Sequence, residues 1–296
     1  MLAPAKINLG LRIRGRRADG YHELESVFLP LDLADEVEVE LAPGSGVALR
    51  VVGRAQDVPA GADNLAVRAA RAFAEAAGLG ARIEVRLHKR IPVAAGLGGG
   101  SADAAAVLRA LAELCPGALS GERLRELALG LGADVPWCLD PRPARVRGVG
   151  ERIEPLEGVP SLALLLANPG ALLSTAEVYR AFDALEPALT AGRPQRTLPP
   201  LAGLRASGGV LEHVDPRELA AWVSNDLEPA ATRLCPPIAR LRKRLREAGA
   251  LVVGLSGSGP TLFGLFPERA SAVRAAGAAG FEAPVWSRVA ETLASP

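Results

Sequence analysis

Alternation is the first signal along the chain. In residues 5–14, Ile7, Leu9, Leu11 and Ile13 fall on one face and Lys6, Asn8, Arg12 and Arg14 on the other. That is the period of a half-buried strand, and it sets Lys6 beside Asn8. Residues 36–41 and 47–52 predict two more strands, joined by the turn-forming Pro43-Gly44-Ser45-Gly46. Asp63 stands where it would cap a helix that runs to Ala77 and stops at Gly78. Residues 82–88 alternate again, with Ile83, Val85 and Leu87 inward. Helical spacing returns over residues 102–114 and 121–131, and residues 145–153 read as strand, turn and strand.

The character of the chain changes at residues 154–160, which divides it into expected domains 1–155 and 156–296. The second part predicts a strand at 162–167, a helix at 175–185, helices at 216–224 and 238–247, and strands at 251–255 and 261–266. A helix over 268–279 and a strand over 284–289 follow, the pattern of a two-layer α+β sandwich. Residues 191–215, rich in Gly, Pro and Arg, give no element.

Composition narrows the function classes. The net charge of +1 offers no electrostatic footprint for nucleic acid. Cys115, Cys138 and Cys235 lack any C-x-x-C spacing, so a disulfide framework and a zinc site are both disfavoured. His22, His88 and His213 have no metal-ligand spacing either. The longest apolar run, residues 162–167, is far too short to span a bilayer, and the expected compartment is the cytoplasm. Only three lysines stand against 31 arginines, so Lys6, Lys89 and Lys243 mark positions where a compact ammonium is wanted.

Gly96-Leu97-Gly98-Gly99-Gly100-Ser101 lies between a predicted strand and a predicted helix. Glycines there let backbone N–H groups approach an anion, and the helix adds its positive end. No Lys follows as a Walker A loop requires, and the third glycine of a dinucleotide fingerprint is missing, which speaks against a dehydrogenase. A glycine run alone is more often a connector; the strand and amphipathic helix around it favour a di- or triphosphate. A second cluster, residues 254–261, reads either as a tight hairpin or as another backbone contact to ligand. Asp134, at a Gly- and Pro-bounded turn, reads alone as a turn residue; paired with Lys6 it would position and activate a hydroxyl. Tyr21 and Tyr179 are the only tyrosines, each either partly buried or available to stack on a ligand ring.

Pro4-Ala5-Lys6-Ile7-Asn8-Leu9, Pro92-Val93-Ala94-Ala95-Gly96-Leu97-Gly98-Gly99-Gly100-Ser101 and Ser256-Gly257-Ser258-Gly259 resemble the three motifs of the GHMP kinase superfamily. Arg17-Ala18-Asp19-Gly20-Tyr21-His22-Glu23-Leu24, Asp63-Asn64-Leu65 and Leu131-Gly132-Ala133-Asp134-Val135-Pro136 are similar to its members that act on a cytidine diphosphate alcohol. The resemblance implies an α+β two-domain fold, a ribosomal-protein-S5-like α/β domain followed by a ferredoxin-like α+β sandwich. It implies ATP and Mg2+, and a phosphoryl transfer on the methylerythritol route to isoprenoid precursors. The acceptor would be the 2-hydroxyl of 4-diphosphocytidyl-2-C-methyl-D-erythritol. Asp134 then matches the base and Lys6 its charged partner. Pro92 to Ala102 would hold the ATP phosphates, and Asn64, Leu65 and Lys89 the nucleoside. Asn8, Tyr21, His22, Thr175, Tyr179, Gly257 and Ser258 would meet the acceptor, Tyr21 by stacking and His22 by hydrogen bonding. No residues are assigned to the metal, and the expected state is a monomer or weak dimer without nucleic-acid or membrane partners. The rivals are a homoserine or mevalonate-type GHMP kinase and a non-catalytic nucleotide-binding regulator.

Overall fold

The 15-residue strand β1 (Leu2–Arg16) opens the computed structural model, which describes residues 1–53, 58–59, 61–185, 198, 206–207, 210–211 and 216–294. Residues 1–5, 33–93 and 98–141 form one compact unit; residues 6–32, 94–97 and the described part of 142–296 form a second.

The first unit contains the later half of β2 (His22–Ala42), then β3 (Val47–Gly53), α1 (Leu65–Ala77), β4 (Arg82–Lys89), α2 (Gly99–Leu114), α3 (Gly121–Leu131) and α4 (Val135–Cys138). Residues 36–42 of β2 pair antiparallel with β4, which pairs parallel with β3. The turn at residues 43–46 therefore joins strands that are not partners, because β4 lies between them. Ile83, Val85 and Leu87 of β4 are buried, as their alternation requires. The cap of α1 is Asn64, whose Oδ1 accepts from Ala66 N at 2.9 Å, while Asp63 ends a 3₁₀ turn. An amide oxygen one residue nearer the helix does the same work as the carboxylate expected there. Gly78 closes α1 in the left-handed conformation, φ 62°.

The second unit contains most of β1, the first part of β2, β5 (Ala144–Gly148), β6 (Arg152–Pro155), β7 (Ala163–Asn168) and α5 (Thr175–Leu185). It continues with β8 (Ala206–Ser207), β9 (Val210–Leu211), α6 (Pro216–Trp222), α7 (Glu228–Leu234), α8 (Pro237–Glu247), β10 (Val252–Leu255), β11 (Leu262–Phe266), α9 (Arg269–Ala278) and β12 (Trp286–Glu291). Its antiparallel sheet runs β10-β11-β7-β12. Helix α8 buries Ile238, Leu241 and Leu245, three- and four-residue spacings on an otherwise charged helix, against the core that holds Phe182 and Phe266. The uninterpreted stretch 191–215 lies outside the described residues except at 198, 206–207 and 210–211.

One expectation fails in β1. Asn8 bonds Ser26 of β2, whereas Arg14 bonds Glu25. Adjacent β2 residues point to opposite faces, so Arg12 and Arg14 do not share the face of Lys6 and Asn8. The alternation breaks near Gly10, where an added Cβ would stand 2.2 Å from Trp222 O. Nor is the strand half-buried, since Lys6 and Asn8 are buried along with the apolar residues.

Candidate functional site

In the second unit, three segments converge on Lys6. Its Nζ donates to Asn8 Oδ1 at 2.6 Å and stands 4.5 Å from the centre of the Phe28 ring. Asn8 Nδ2 donates to Ser26 Oγ at 2.8 Å, and Ser26 Oγ donates to Gly10 O at 2.7 Å. Asn8 N donates to Ser256 Oγ, which donates to Gly96 O at 2.8 Å. Lys6 N bonds Leu97 O at 2.9 Å. Strand β1, the glycine loop and the β10–β11 turn are thus one hydrogen-bonded assembly. Lys6, only 4 % exposed, is held in a fixed position there.

The second glycine cluster forms a hairpin, with Leu255 opposite Leu262. Its tip packs beside Asn8 and Lys6. Asn225 Nδ2 donates to both Leu255 O and Gly257 O, at 2.9 and 2.8 Å. A Cβ on Gly257 would lie 3.3 Å from Asn8 Oδ1 and 3.7 Å from Lys6 Nζ. Ser258 Oγ is 2.8 Å from Thr175 Oγ1, and Thr261 N donates to Ala95 O. Ser256, Ser258 and Thr261 are buried and spend their hydroxyls within this assembly or on Asn168.

Gly96 has φ 75°, and an added Cβ would stand 2.3 Å from Ser256 O. Left-handed strain and a backbone clash act together, so Gly96→Ala is expected to cost about 2–5 kcal/mol. Chemical denaturation checks this; a loss below about 1 kcal/mol would contradict the packing described.

In the first unit, α2 begins at Gly99, three residues earlier than expected, so Gly99, Gly100 and Ser101 form its first turn. Gly98 at φ 73° is the cap and supplies no side chain, and the first helical bond is Ala102 N to Gly98 O at 2.9 Å. The N–H groups ahead of it have no partner within the helix, the arrangement that receives anions. Pro92 and Val93 lead into this loop, and Ala94 turns it with φ 49°.

Lys89 lies beneath that turn. A Cβ on Gly99 would be 3.5 Å from Lys89 Nζ. The ammonium is 4 % exposed and donates to Asp35 Oδ2 and, at 2.6 Å, to Asp103 Oδ2. Asp35 Oδ1 also accepts from Arg90 N and Ile91 N, at 2.5 and 2.9 Å. Asp103 Oδ1 is buried with no hydrogen-bond partner. Burial pulls Lys89 down, but Asp103 and Asp35 overcome it and hold the ammonium above its ordinary range. Burial pushes Asp103 up from 3.8 to about 7; Lys89 opposes the shift and Asp35 adds to it.

A carboxyl raised in the fold binds its proton more tightly there than in the unfolded chain. Asp103 therefore favours folding below 3.8 and loses that contribution as pH rises to about 7. Asp103→Asn is expected to flatten the decline of stability over this window, read by denaturation at a series of pH values. An unchanged slope would assign the decline to other groups.

Asn64 and Leu65 stand at the cap and first residue of α1 in the same unit, and Asn64 Nδ2 also holds Pro59 O at 3.0 Å. Asp134 heads α4 with helical φ −86° and ψ −15°, is half-buried, and makes no side-chain cap bond.

The remaining residues expected to meet the acceptor lie in the second unit. Tyr21 is 66 % exposed. His22 stacks on Tyr179 with centroids 4.9 Å apart and an interplanar angle of 28°, and meets the Phe182 edge at 6.0 Å. Its Nε2 is 2.6 Å from Asp183 Oδ1.

Comparison with known proteins gives this arrangement a family. Residues 64–140 match the GHMP kinases N terminal domain and residues 210–283 the GHMP kinases C terminal domain. The 4-diphosphocytidyl-2-C-methyl-D-erythritol kinase of Pelotomaculum thermopropionicum is 45% identical over 271 residues, 92% of this chain and 90% of the relative. The chain belongs to the GHMP kinases, in the 4-diphosphocytidyl-2-C-methyl-D-erythritol kinase family. A crystal structure of 4-(cytidine 5'-diphospho)-2C-methyl-D-erythritol kinase superposes with a TM-score of 0.76 at 41% identity, covering 98% of each chain. The homoserine kinase of Cytophaga hutchinsonii, at 22% identity and a TM-score of 0.70 over 99% and 93% of the two chains, shares the fold. The two-domain α+β GHMP fold expected from the motifs is thus the observed one.

Several residues that build this candidate site escaped the sequence reading. Asp103 left a trace, a single charge within an alanine run from Ala102 to Ala106. Asp183 sits four residues after Tyr179, one helical turn along the same face. Ser26 and Asn225 carried no local signal, since each matters only through contacts distant in sequence.

Proposed function

We propose that this GHMP kinase transfers the γ-phosphate of ATP to the 2-hydroxyl of 4-diphosphocytidyl-2-C-methyl-D-erythritol, on the methylerythritol route to isoprenoid precursors. The observation that carries the reading is the 45% identity, over nearly all of both chains, to a relative bearing that substrate's name. In the reaction the acceptor oxygen forms a bond to the γ-phosphorus and the bond to the β,γ-bridging oxygen breaks, releasing ADP. Asp134 takes the hydroxyl proton, and Lys6 is its charged partner, stabilising negative charge on the acceptor oxygen. Asn8, fixed between Lys6, Ser26 and Ser256, orients the acceptor, together with Thr175, Gly257 and Ser258.

Residues 92–102 cradle the triphosphate through backbone N–H groups at the start of α2, and Asn64 and Leu65 border the nucleoside. Lys89 serves the nucleotide from below, since its ammonium is committed to Asp35 and Asp103. Among the described residues no three His, Cys, Asp or Glu side chains gather as a metal cage. Mg2+ would enter with the ATP phosphates, and Ser101, in the first turn of α2, would offer a hydroxyl to phosphate or metal. The ion would neutralise charge on the transferring group.

No described helix is long and apolar enough to cross a membrane. We read the protein as cytoplasmic, a monomer or weak dimer without nucleic-acid partners, with its family domains divided near residue 155. Incubation with Mg-ATP and a panel of the cytidine diphosphate alcohol, mevalonate and homoserine tests the reaction. ADP release with the first alone is expected; release with none, or with another, overturns the proposal.

A further inference from the structure

His22 is held more firmly than a side chain that merely meets a ligand needs to be. Its side chain is 9 % exposed. Tyr179 covers one ring face, the Phe182 ring meets it edge-on, and Asp183 Oδ1 stands 2.6 Å from Nε2. Tyr179, Phe182 and Asp183 all come from α5, at the three- and four-residue spacings that share one helix face. Asp183 Oδ2 also faces Arg16 Nη1 at 3.8 Å. A carboxylate oxygen only accepts, so Nε2 must carry the proton. In the neutral ring Nδ1 is then a lone-pair acceptor.

We propose that Asp183 is a positioning residue that fixes His22 as its Nε2–H tautomer, so that Nδ1 accepts from the exocyclic amino group of the substrate's base. Cytosine presents a donor at that position and uracil presents a carbonyl oxygen. The contact therefore selects a cytidine over a uridine diphosphate alcohol. This rests on the proposed function, because it supposes that the base is read at His22.

Two readouts separate the inference from that reading. Nitrogen-15 shifts of the His22 ring report the tautomer without substrate, and a His22→Asn variant assigns the signal among the three histidines. Wild type is expected to show protonated Nε2 and bare Nδ1, and Asp183→Asn a mixture, because an amide can also donate to Nε2. In kinetics, Asp183→Asn is expected to raise KM for the cytidine substrate about tenfold with kcat nearly unchanged, the loss of one oriented hydrogen bond. The cytidine-to-uridine preference in kcat/KM should fall by a similar factor. A protonated Nδ1 in wild type overturns the proposal, as does an unchanged base preference in Asp183→Asn. Absence of activity on both alcohols in wild type would instead refute the proposed function, while the tautomer result would still stand.

Discussion

Asp134→Asn is expected to lower kcat by about 10²- to 10⁴-fold, the usual worth of a positioned general base. An amide matches the carboxylate in shape but cannot take the acceptor's proton. The local backbone gives no reason for the variant to misfold. Asp134 already has helical dihedrals, and the turn is held by Val135 N to Gly132 O at 3.1 Å and Cys138 N to Asp134 O at 3.2 Å. With the backbone turn unchanged, the fold and the ATP affinity are expected to stay near those of wild type. Steady-state rates, nucleotide titration and a melting curve on the same preparation check all three. Equal losses of turnover and ATP binding would make Asp134 a structural residue of the turn.

Much of the site was legible because its chemistry is local. The glycine run opens a helix, as its place between strand and helix suggested, the setting that favours an anion cradle, and the placement of Lys6 beside Asn8 follows from strand geometry. The helices Gly121–Leu131 and Thr175–Leu185 have the bounds their spacing predicted. What the pattern could not carry was long-range. β4 inserts between strands that a turn seemed to pair, and the alternation of β1 breaks at a glycine whose crowding depends on Trp222 O. Nothing local distinguishes Gly10 from a weak strand position. The second glycine cluster was ambiguous for the same reason. A hairpin needs only its own two strands, but contact with Ala95, Gly96 and Asn8 is a property of the fold.

The same distinction separates the two lysines. Lys6 Nζ donates to the Asn8 amide oxygen, with Gly257 of the β10–β11 turn close by. Lys89 sits between two carboxylates. From sequence both are rare lysines on motifs; their partners favour the proposed reading, in which Lys6 stabilises charge and Lys89 supports the loop.

Lys89→Met tests that assignment through stability rather than turnover. Removing the ammonium leaves Asp35 and Asp103 buried together without a cation, a loss of about 3–5 kcal/mol for breaking a buried ion pair from one side. In a chain of this size that lowers Tm by on the order of 10 °C. Asp35 keeps the Arg90 and Ile91 amides, whereas Asp103 Oδ1 has no partner even in wild type, so Asp103 should bear most of the penalty. Adding Asp103→Asn to Lys89→Met is therefore expected to recover a substantial part of the loss. The four-corner cycle should show coupling above about 1 kcal/mol, as residues in one network do. Part of the loss should also disappear at acid pH, where Asp103 takes up a proton more readily than an ordinary carboxyl. If Lys89 instead grips the nucleotide directly, the variant will melt near wild type without ligand and lose ATP affinity alone. That outcome would overturn the supporting role, because an ammonium turned toward ATP is not the counter-charge of Asp35 and Asp103.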